Sequence, residues 1–317
     1  MVIGVDIMGG DYAPDEAIKG AILARNELPE NVGLLLIGDE KIIRQKLSEN
    51  NSDPSLFGIF HAPEVITMAD NPTRAFQQKP NSSIAAGFGL LKQKKIQAFA
   101  SAGNTGAMLV GAVLVIKTIP GILRPCISSI IPKEDDKLGI ILDVGVNSDC
   151  KPEVLQQFAI LGSLLAKHVY NFINPKVGLM SIGEEEEKGN SVTIAAHQLL
   201  KETAEINFIG NLEGRDLFND KADVVVCDGF TGNIMLKEAE AFYEIISKKI
   251  SDPYFERFNY EAIGGAPVLG VNGNVIIAHG ISKAPAVKSM ISLAYEVMVA
   301  RLNERIEQAL GQVVQQS

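Results

Sequence analysis

The chain has 317 residues, with 29 Lys and Arg against 38 Asp and Glu, a net charge of −9. That acidic balance argues against nucleic acid as a partner, and 46% hydrophobic with 21% charged residues is the composition of a globular protein with a sizeable core. Cys126, Cys150 and Cys227 lie far apart with no Cys-x-x-Cys pair, and His61, His168, His197 and His279 show no ligand spacing. No metal site is expected, and the cysteine usage fits a reducing compartment.

In chain order, the first element is an apolar run, Val2–Ile7, read as a strand, so no signal peptide is expected. The longest apolar run, Ala107 to Ile116, is too short to span a bilayer, so a cytoplasmic protein is expected. The first strand closes on Asp6-Ile7-Met8-Gly9-Gly10-Asp11. Gly9 and Gly10 permit close backbone approach to a ligand, and Asp6 and Asp11 suit orienting polar groups. A tight turn with a capping aspartate accounts for the same residues.

Helical spacing follows over Pro14–Arg25, then strand-like runs at Val32–Ile37, Phe57–Phe60 and Ala98–Ala100. The last leads into Ser101-Ala102-Gly103-Asn104-Thr105-Gly106-Ala107 and a helix expected over Gly106–Thr118. Unpaired N–H groups and the helix dipole favour an anion there. Asn104 and Thr105 fit either phosphate contact or simple N-capping.

Strands are expected at Ile127–Ile131, Leu138–Leu142 and Val177–Met180, with a helix over Glu153–Tyr170. Glu184 to Glu187 then read as the acidic first turn of a helix that includes Ser191–Glu202, a solvated face favoured by the dipole. Lys188 follows an apolar strand and the Gly183 turn, where an ammonium suits a phosphate or a developing oxyanion. Ion pairs with the neighbouring acids would instead leave it idle.

Strands at Asn207–Ile209 and Val224–Cys227 precede a second Gly-rich turn, Asp228-Gly229-Phe230-Thr231-Gly232-Asn233, with its own hydroxyl and amide. Cys227 beside it raises an acyl-cysteine intermediate, although no histidine is adjacent in sequence to activate the thiol. Met235, Ala239, Phe242, Ile246 and Ile250 form a stripe suited to a packed or dimerising helix, and the pattern breaks over Ile250–Ala266. A strand at Val275–Ala278 brings His279 to a strand end, and Pro285–Leu310 reads as one long helix. Alternating strands and helices predict an α/β fold with a largely parallel sheet, whose ligands bind beyond the carboxyl ends of the strands.

Taken together, these turns resemble those of the bacterial acyl-acyl-carrier-protein:phosphate acyltransferase family, PlsX. The resemblance rests on the Asp6–Asp11 and Ser101–Ala107 turns and on Asp143-Val144-Gly145-Val146-Asn147. It continues through Gly183–Asn190, Asn211-Leu212-Glu213-Gly214-Arg215-Asp216, Asp228–Asn233, Gly264–Gly270 and Ala278-His279-Gly280, spanning nearly the whole chain. It implies a three-layer α/β/α fold similar to phosphotransacetylases and isopropylmalate dehydrogenases. The chain is then one phosphate acyltransferase unit over residues 1–317, with room for two lobes around a cleft.

The implied reaction is attack of inorganic phosphate on the thioester of long-chain acyl-acyl-carrier protein. It gives acyl phosphate for phospholipid synthesis and needs no cofactor. Lys188 and Asn233 match the positions that matter most for catalysis in the family. Asp6, Gly9, Gly10, Asp11, Ser101, Gly103, Asn104, Thr105, Gly106, Asn147, Asp228, Thr231, Gly232 and His279 are the expected phosphate and substrate contacts.

The family also implies a homodimer, contact with a downstream acyltransferase and peripheral membrane attachment. Here the segment 234–263, the candidate dimerisation element, is shorter than in the family, which weakens the expectation of membrane contact. An acidic chain must dock acidic carrier protein through a local basic surface, either Lys92, Lys94 and Lys95 or Lys248 and Lys249. Competing readings are a coenzyme A-dependent phosphate acyltransferase and a non-catalytic regulator that binds acyl-carrier protein. An isopropylmalate-type dehydrogenase lacks support, since the chain has no Gly-x-Gly-x-x-Gly fingerprint.

Overall fold

The computed structural model describes residues 1–134, 137–250, 252–259 and 264–316. The strands in chain order are β1 (Val2–Asp6), β2 (Gly33–Gly38), β3 (Gly58–His61), β4 (Ala98–Ser101), β5 (Cys126–Pro132), β6 (Leu138–Leu142), β7 (Lys176–Met180), β8 (Asn207–Leu212), β9 (Val224–Val226), β10 (Ala266–Leu269) and β11 (Asn274–Ile277). The helices are α1 (Asp15–Glu27), α2 (Glu40–Glu49), α3 (Pro72–Gln78), α4 (Ser83–Lys92), α5 (Thr105–Gly111), α6 (Pro152–His168), α7 (Ser191–Glu202), α8 (Gly229–Ser247), α9 (Pro253–Glu256), α10 (Ala284–Val299) and α11 (Leu302–Gln316). The chain forms two compact units, Met1–Lys117 with Tyr260–Val299, and Thr118–Asn259 with Ala300–Ser317.

In the first unit the strand order is β3-β2-β1-β4-β11-β10, parallel except for β10. β1 and β4 are apolar without alternation and buried, as strands covered on both faces must be. Helices α4 and α10 both pack on β1 and β4. Two glycines set these approaches. A Cβ on Gly20 of α1 would lie 2.5 Å from Cβ of Val287 on α10, and one on Gly87 of α4 would enter the Phe99 ring.

In the second unit the order is β5-β6-β9-β7-β8, with β5 antiparallel and the rest parallel. Central β9, Val224-Val225-Val226, is fully buried. Helix α6 covers β6, β7 and β9, α7 packs on β7 and β8, and α11 packs on α6. The whole is the three-layer α/β/α arrangement with a largely parallel, mixed sheet.

The structure departs from the expected elements at several points. The helix after Asn104 keeps α geometry to Gly111 and then widens into a π-turn over Ala112–Ile116, ended by Lys117 at φ 69°. The Pro285–Leu310 helix is two helices, broken at Arg301, which sits at φ 51°. Strand β10, Ala266–Leu269, follows the break over Ile250–Ala266 and was not expected, because Pro267 and the flanking Gly264, Gly265 and Gly270 mask its apolar residues. Within 234–263, α8 runs to Ser247; residues 251 and 260–263 lie outside the described residues. Along α8 the buried residues are Gly229 and Gly232, while Phe242 and Ile245 are exposed, as is Ile250 beyond its end.

Candidate functional site

In the first unit, adjacent parallel strands bring their carboxyl-end turns together. The Asp6 carboxylate is buried and accepts hydrogen bonds from Ser101 Oγ at 2.7 Å and from Met8 N–H at 2.9 Å. Ser101 Oγ in turn accepts from Gly103 N–H at 2.9 Å. A Cβ on Gly9 would lie 2.7 Å from Gly103 N, so glycine is what lets the β1 and β4 turns meet. The Asp11 N–H donates to Gly280 O at 2.7 Å, adding the turn after β11. Burial pushes the Asp6 carboxyl above its ordinary value, with its hydrogen bonds opposing the shift. Asp6 and Ser101 therefore act as the scaffold of this turn cluster.

Asn104 resolves toward capping. Its Oδ1 accepts from Ala107 N–H at 3.0 Å, while its amide donates to Thr67 O at 3.0 Å and Asp70 O at 3.2 Å. The side chain is spent on the α5 N-terminus and the 67–70 segment. Thr105, Asp11 and His279 are exposed, Gly106 is half-buried, and Gly10 takes a positive φ of 108°.

In the second unit a comparable junction forms around Asp143, for which no role was expected. Its buried carboxylate follows β6 and accepts from Ile127 N–H at 3.1 Å, Asn147 N–H at 2.7 Å and Asn147 Nδ2 at 2.9 Å. Burial raises its pKa and these donors oppose the rise. Asn147 also donates to Pro125 O at 2.8 Å and accepts from Gly229 N–H at 2.7 Å through its carbonyl. Its amide holds the protein's own backbone, leaving its expected substrate contact to the turn it builds. The signal available in sequence was an Asp closing an apolar strand, as Asp228 closes β9.

The Gly-rich turn after β9 docks on this junction. Asp228 caps α8 by accepting Thr231 N–H at 2.8 Å and Thr231 Oγ1 at 3.2 Å. Gly232 lies against the Asp143 carbonyl with no room for a Cβ. Asn233 is half-buried over Gly145, which has φ 117°, and a Cβ there would lie 3.1 Å from Asn233 Nδ2. Among the described residues the Asn233 amide has no hydrogen-bond partner.

The turn after β7 carries Lys188. Helix α7 starts at Ser191 with Asn190 as its cap, so the four acids precede the helix instead of forming its first turn. They do not engage Lys188: Glu184 pairs with Lys221 at 2.6 Å and Glu186 with Lys201 at 2.7 Å. The Lys188 backbone is fixed, its N–H donating to Glu185 O at 3.0 Å and its carbonyl accepting from Ser181 Oγ at 3.0 Å. The aliphatic stem packs over Gly183. The exposed ammonium has no ion-pair partner among the described residues.

A cavity of about 370 Å³ separates the Lys188 turn from the start of α8, lined by Ser181, Gly189, Thr193, Cys150, Asp228 and Thr231 among others. Cys227 also lines it. Burial, with Asp228 and Asp143 nearby, raises its thiol well above the ordinary value, and burial raises Cys150 to about 12. Burial thus disfavours the thiolate at both cysteines, which counts against an acyl-cysteine intermediate. Ser181, Thr193 and Cys150 were missed in sequence because no motif marks them. Lys92, Lys94 and Lys95 precede β4, at the amino ends of the strands, and Lys248 lies about 22 Å along the helix from Asn233.

Comparisons agree over the length of the chain. A family model described as "Fatty acid synthesis protein" matches residues 1–305. The chain is 42% identical to the phosphate acyltransferase of Dictyoglomus turgidum over 333 residues, covering 99% of this chain and 98% of that protein. It is 44% identical to the phosphate acyltransferase of Pelotomaculum thermopropionicum, covering 99% and 96%. In fold it is similar to a phosphotransacetylase from Streptococcus pyogenes, with TM-score 0.70, 16% identity and coverage of 93% and 94%. The chain belongs to the fatty acid synthesis protein family, the family of the phosphate acyltransferases.

Proposed function

We propose that the protein transfers the acyl group of long-chain acyl-acyl-carrier protein to inorganic phosphate. The observation that carries this reading is the pair of unpartnered groups in the second unit, the Lys188 ammonium and the Asn233 amide, at the carboxyl ends of parallel strands. Phosphate is charged at neutral pH and needs no base to become a nucleophile. Its oxygen attacks the thioester carbon, a tetrahedral oxyanion forms, the C–S bond breaks, and the carrier's thiolate leaves and takes a proton from solvent. The protein must hold the anion beside the thioester and stabilise the oxyanion, tasks suited to an ammonium, an amide and the N–H groups at the α8 start. In the first unit the Gly103 N–H is spent on Ser101 Oγ, and Gly10, Thr105, Gly106 and His279 remain candidate polar contacts at its turns.

The apolar surface of α8, with Phe242 and Ile245 exposed, supports a homodimer built on that helix. Among the described residues no helix is long and apolar enough to cross a membrane. A cytoplasmic enzyme that passes acyl phosphate to a downstream acyltransferase, with any membrane contact peripheral, accords with that. The test offers palmitoyl-acyl-carrier protein and palmitoyl-coenzyme A separately, with and without phosphate. Phosphate-dependent release of carrier thiol, with acyl phosphate formed, is the expected result. Preference for the coenzyme A thioester would move the assignment to that donor. Binding without turnover by folded protein would make the chain a regulator.

A further inference from the structure

The turn that carries Lys188 is held from below by groups that no functional assignment uses. Asn211 on β8 is buried, and its amide nitrogen donates to the Glu185 carbonyl at 2.9 Å. That same carbonyl accepts the Lys188 N–H at 3.0 Å, so one oxygen ties Asn211 to the backbone of Lys188. A carbonyl can only accept, so Asn211 Nδ2 faces Glu185 and Oδ1 faces the other way. There it meets Nδ1 of buried His197 on α7 at 2.8 Å. Since Oδ1 also only accepts, His197 carries its proton on Nδ1. His197 Nε2 lies 3.8 Å from Glu186, whose carboxylate is already engaged by Lys201 at 2.7 Å.

The backbone is shaped to make this contact. Between β7 and β8 the register passes from Val177 opposite Phe208 to Leu179 opposite Asn211, one residue more on β8 than on β7. The extra residue is accommodated near Gly210, at φ 99°. Residues three apart on a regular strand face opposite sides; the bulge brings Phe208 and Asn211 to the same side. Both meet His197 there, Phe208 edge-on with ring centroids 5.1 Å apart and Asn211 through its hydrogen bond.

We infer that Asn211, oriented by His197, is a positioning residue that fixes the turn carrying Lys188. Its effect on turnover rests on the proposed role of Lys188, whereas its hold on the turn does not. The first measurement is therefore independent of activity. In Asn211→Ala, amide hydrogen exchange over residues 184–190 should speed up while β6 and β9 keep their protection. Nitrogen NMR of the wild type should show His197 protonated on Nδ1. Unchanged exchange in the turn, or a proton on Nε2 alone, overturns the inference.

The second measurement is kinetic. Asn211→Ala should lower kcat by about 10- to 100-fold with a smaller change in KM for phosphate, as expected of a displaced catalytic group. In a Lys188→Ala background the same substitution should cost almost nothing further, since there is no ammonium left to misplace. Additive losses would mean a general structural role and would overturn the inference. Asn211→Asp keeps the acceptor for His197 and loses the N–H aimed at Glu185, so it should resemble Asn211→Ala. His197→Gln retains a donor toward Asn211 and should recover most of the loss seen in His197→Leu. If wild-type protein shows no phosphate-dependent thiol release, the proposed function fails, and the exchange and tautomer results still decide whether Asn211 holds the turn.

Discussion

At the residue scale, the site divides into side chains spent on the protein and side chains left over. Asn104 and Asp228, expected as ligand contacts, cap the helices they precede, and the Asn147 amide holds the Pro125 carbonyl. Lys188 and Asn233 retain their donors. Replacing either by Ala should lower turnover by about 10²- to 10³-fold, the usual cost of losing one oxyanion or anion donor. Steady-state kinetics on variants with native circular dichroism checks this, and near-normal turnover would remove that residue from the mechanism. Asp143 makes the contrasting case. Asp143→Ala would orphan buried N–H groups of Ile127 and Asn147, costing about 3 kcal/mol or more in a urea titration. Lys188 stood out in the sequence by its place after an apolar strand and the Gly183 turn, and the family resemblance pointed to it as catalytic. Its freedom from ion pairs was not legible at all, because Lys201 and Lys221, which take up Glu186 and Glu184, lie well apart in sequence.

At the scale of elements, unbroken apolar runs such as Leu138–Leu142 and Val224–Val226 were readable because strands buried on both faces need no alternation. The elements that escaped have local causes. Arg301 breaks a helical apolar stripe that continues in register on both sides, so periodicity alone could not reveal it. β10 hides behind Pro267, tolerated in its antiparallel pairing with β11. Helix α8 is attached to its unit chiefly at its first turns, where Gly229 and Gly232 touch Asp143 and Asn147. Gly232→Ala should therefore destabilise the protein by about 1–3 kcal/mol, because its methyl would press on a fixed carbonyl and not on a movable side chain. Thermal unfolding reads this, and an unchanged midpoint would show that α8 can shift without cost.

For the whole molecule, one charge that bears on stability is hidden from any net count. Lys133 is buried in the second unit, its ammonium donating to Leu217 O at 2.6 Å, and burial lowers its pKa to about 8. The unfolded chain holds that proton up to about pH 10.4. Between these values the unfolded state binds more protons, so stability rises with pH across the window and is lost as pH falls through 8. Relative to Lys133→Met, the wild type should gain up to about 3 kcal/mol between pH 8 and 10.5 in urea denaturation. Equal pH slopes in the two proteins would refute the assignment. No sequence pattern marks Lys133 as buried, since its neighbours Glu134 and Lys137 give the segment the look of a solvated loop.

The protonated thiols beside the Lys188 turn bear on how the proposed reaction keeps its product. Each turnover frees a thiol next to an activated acyl group, conditions that invite thioester exchange onto any protein thiolate within reach. Burial raises the Cys150 thiol to about 12, which keeps it protonated at neutral pH. In the proposed reaction phosphate, already an anion, then meets no ready competitor from this thiol. Iodoacetamide should therefore leave turnover unchanged, and loss of activity on alkylation would reveal a thiolate within reach of the site.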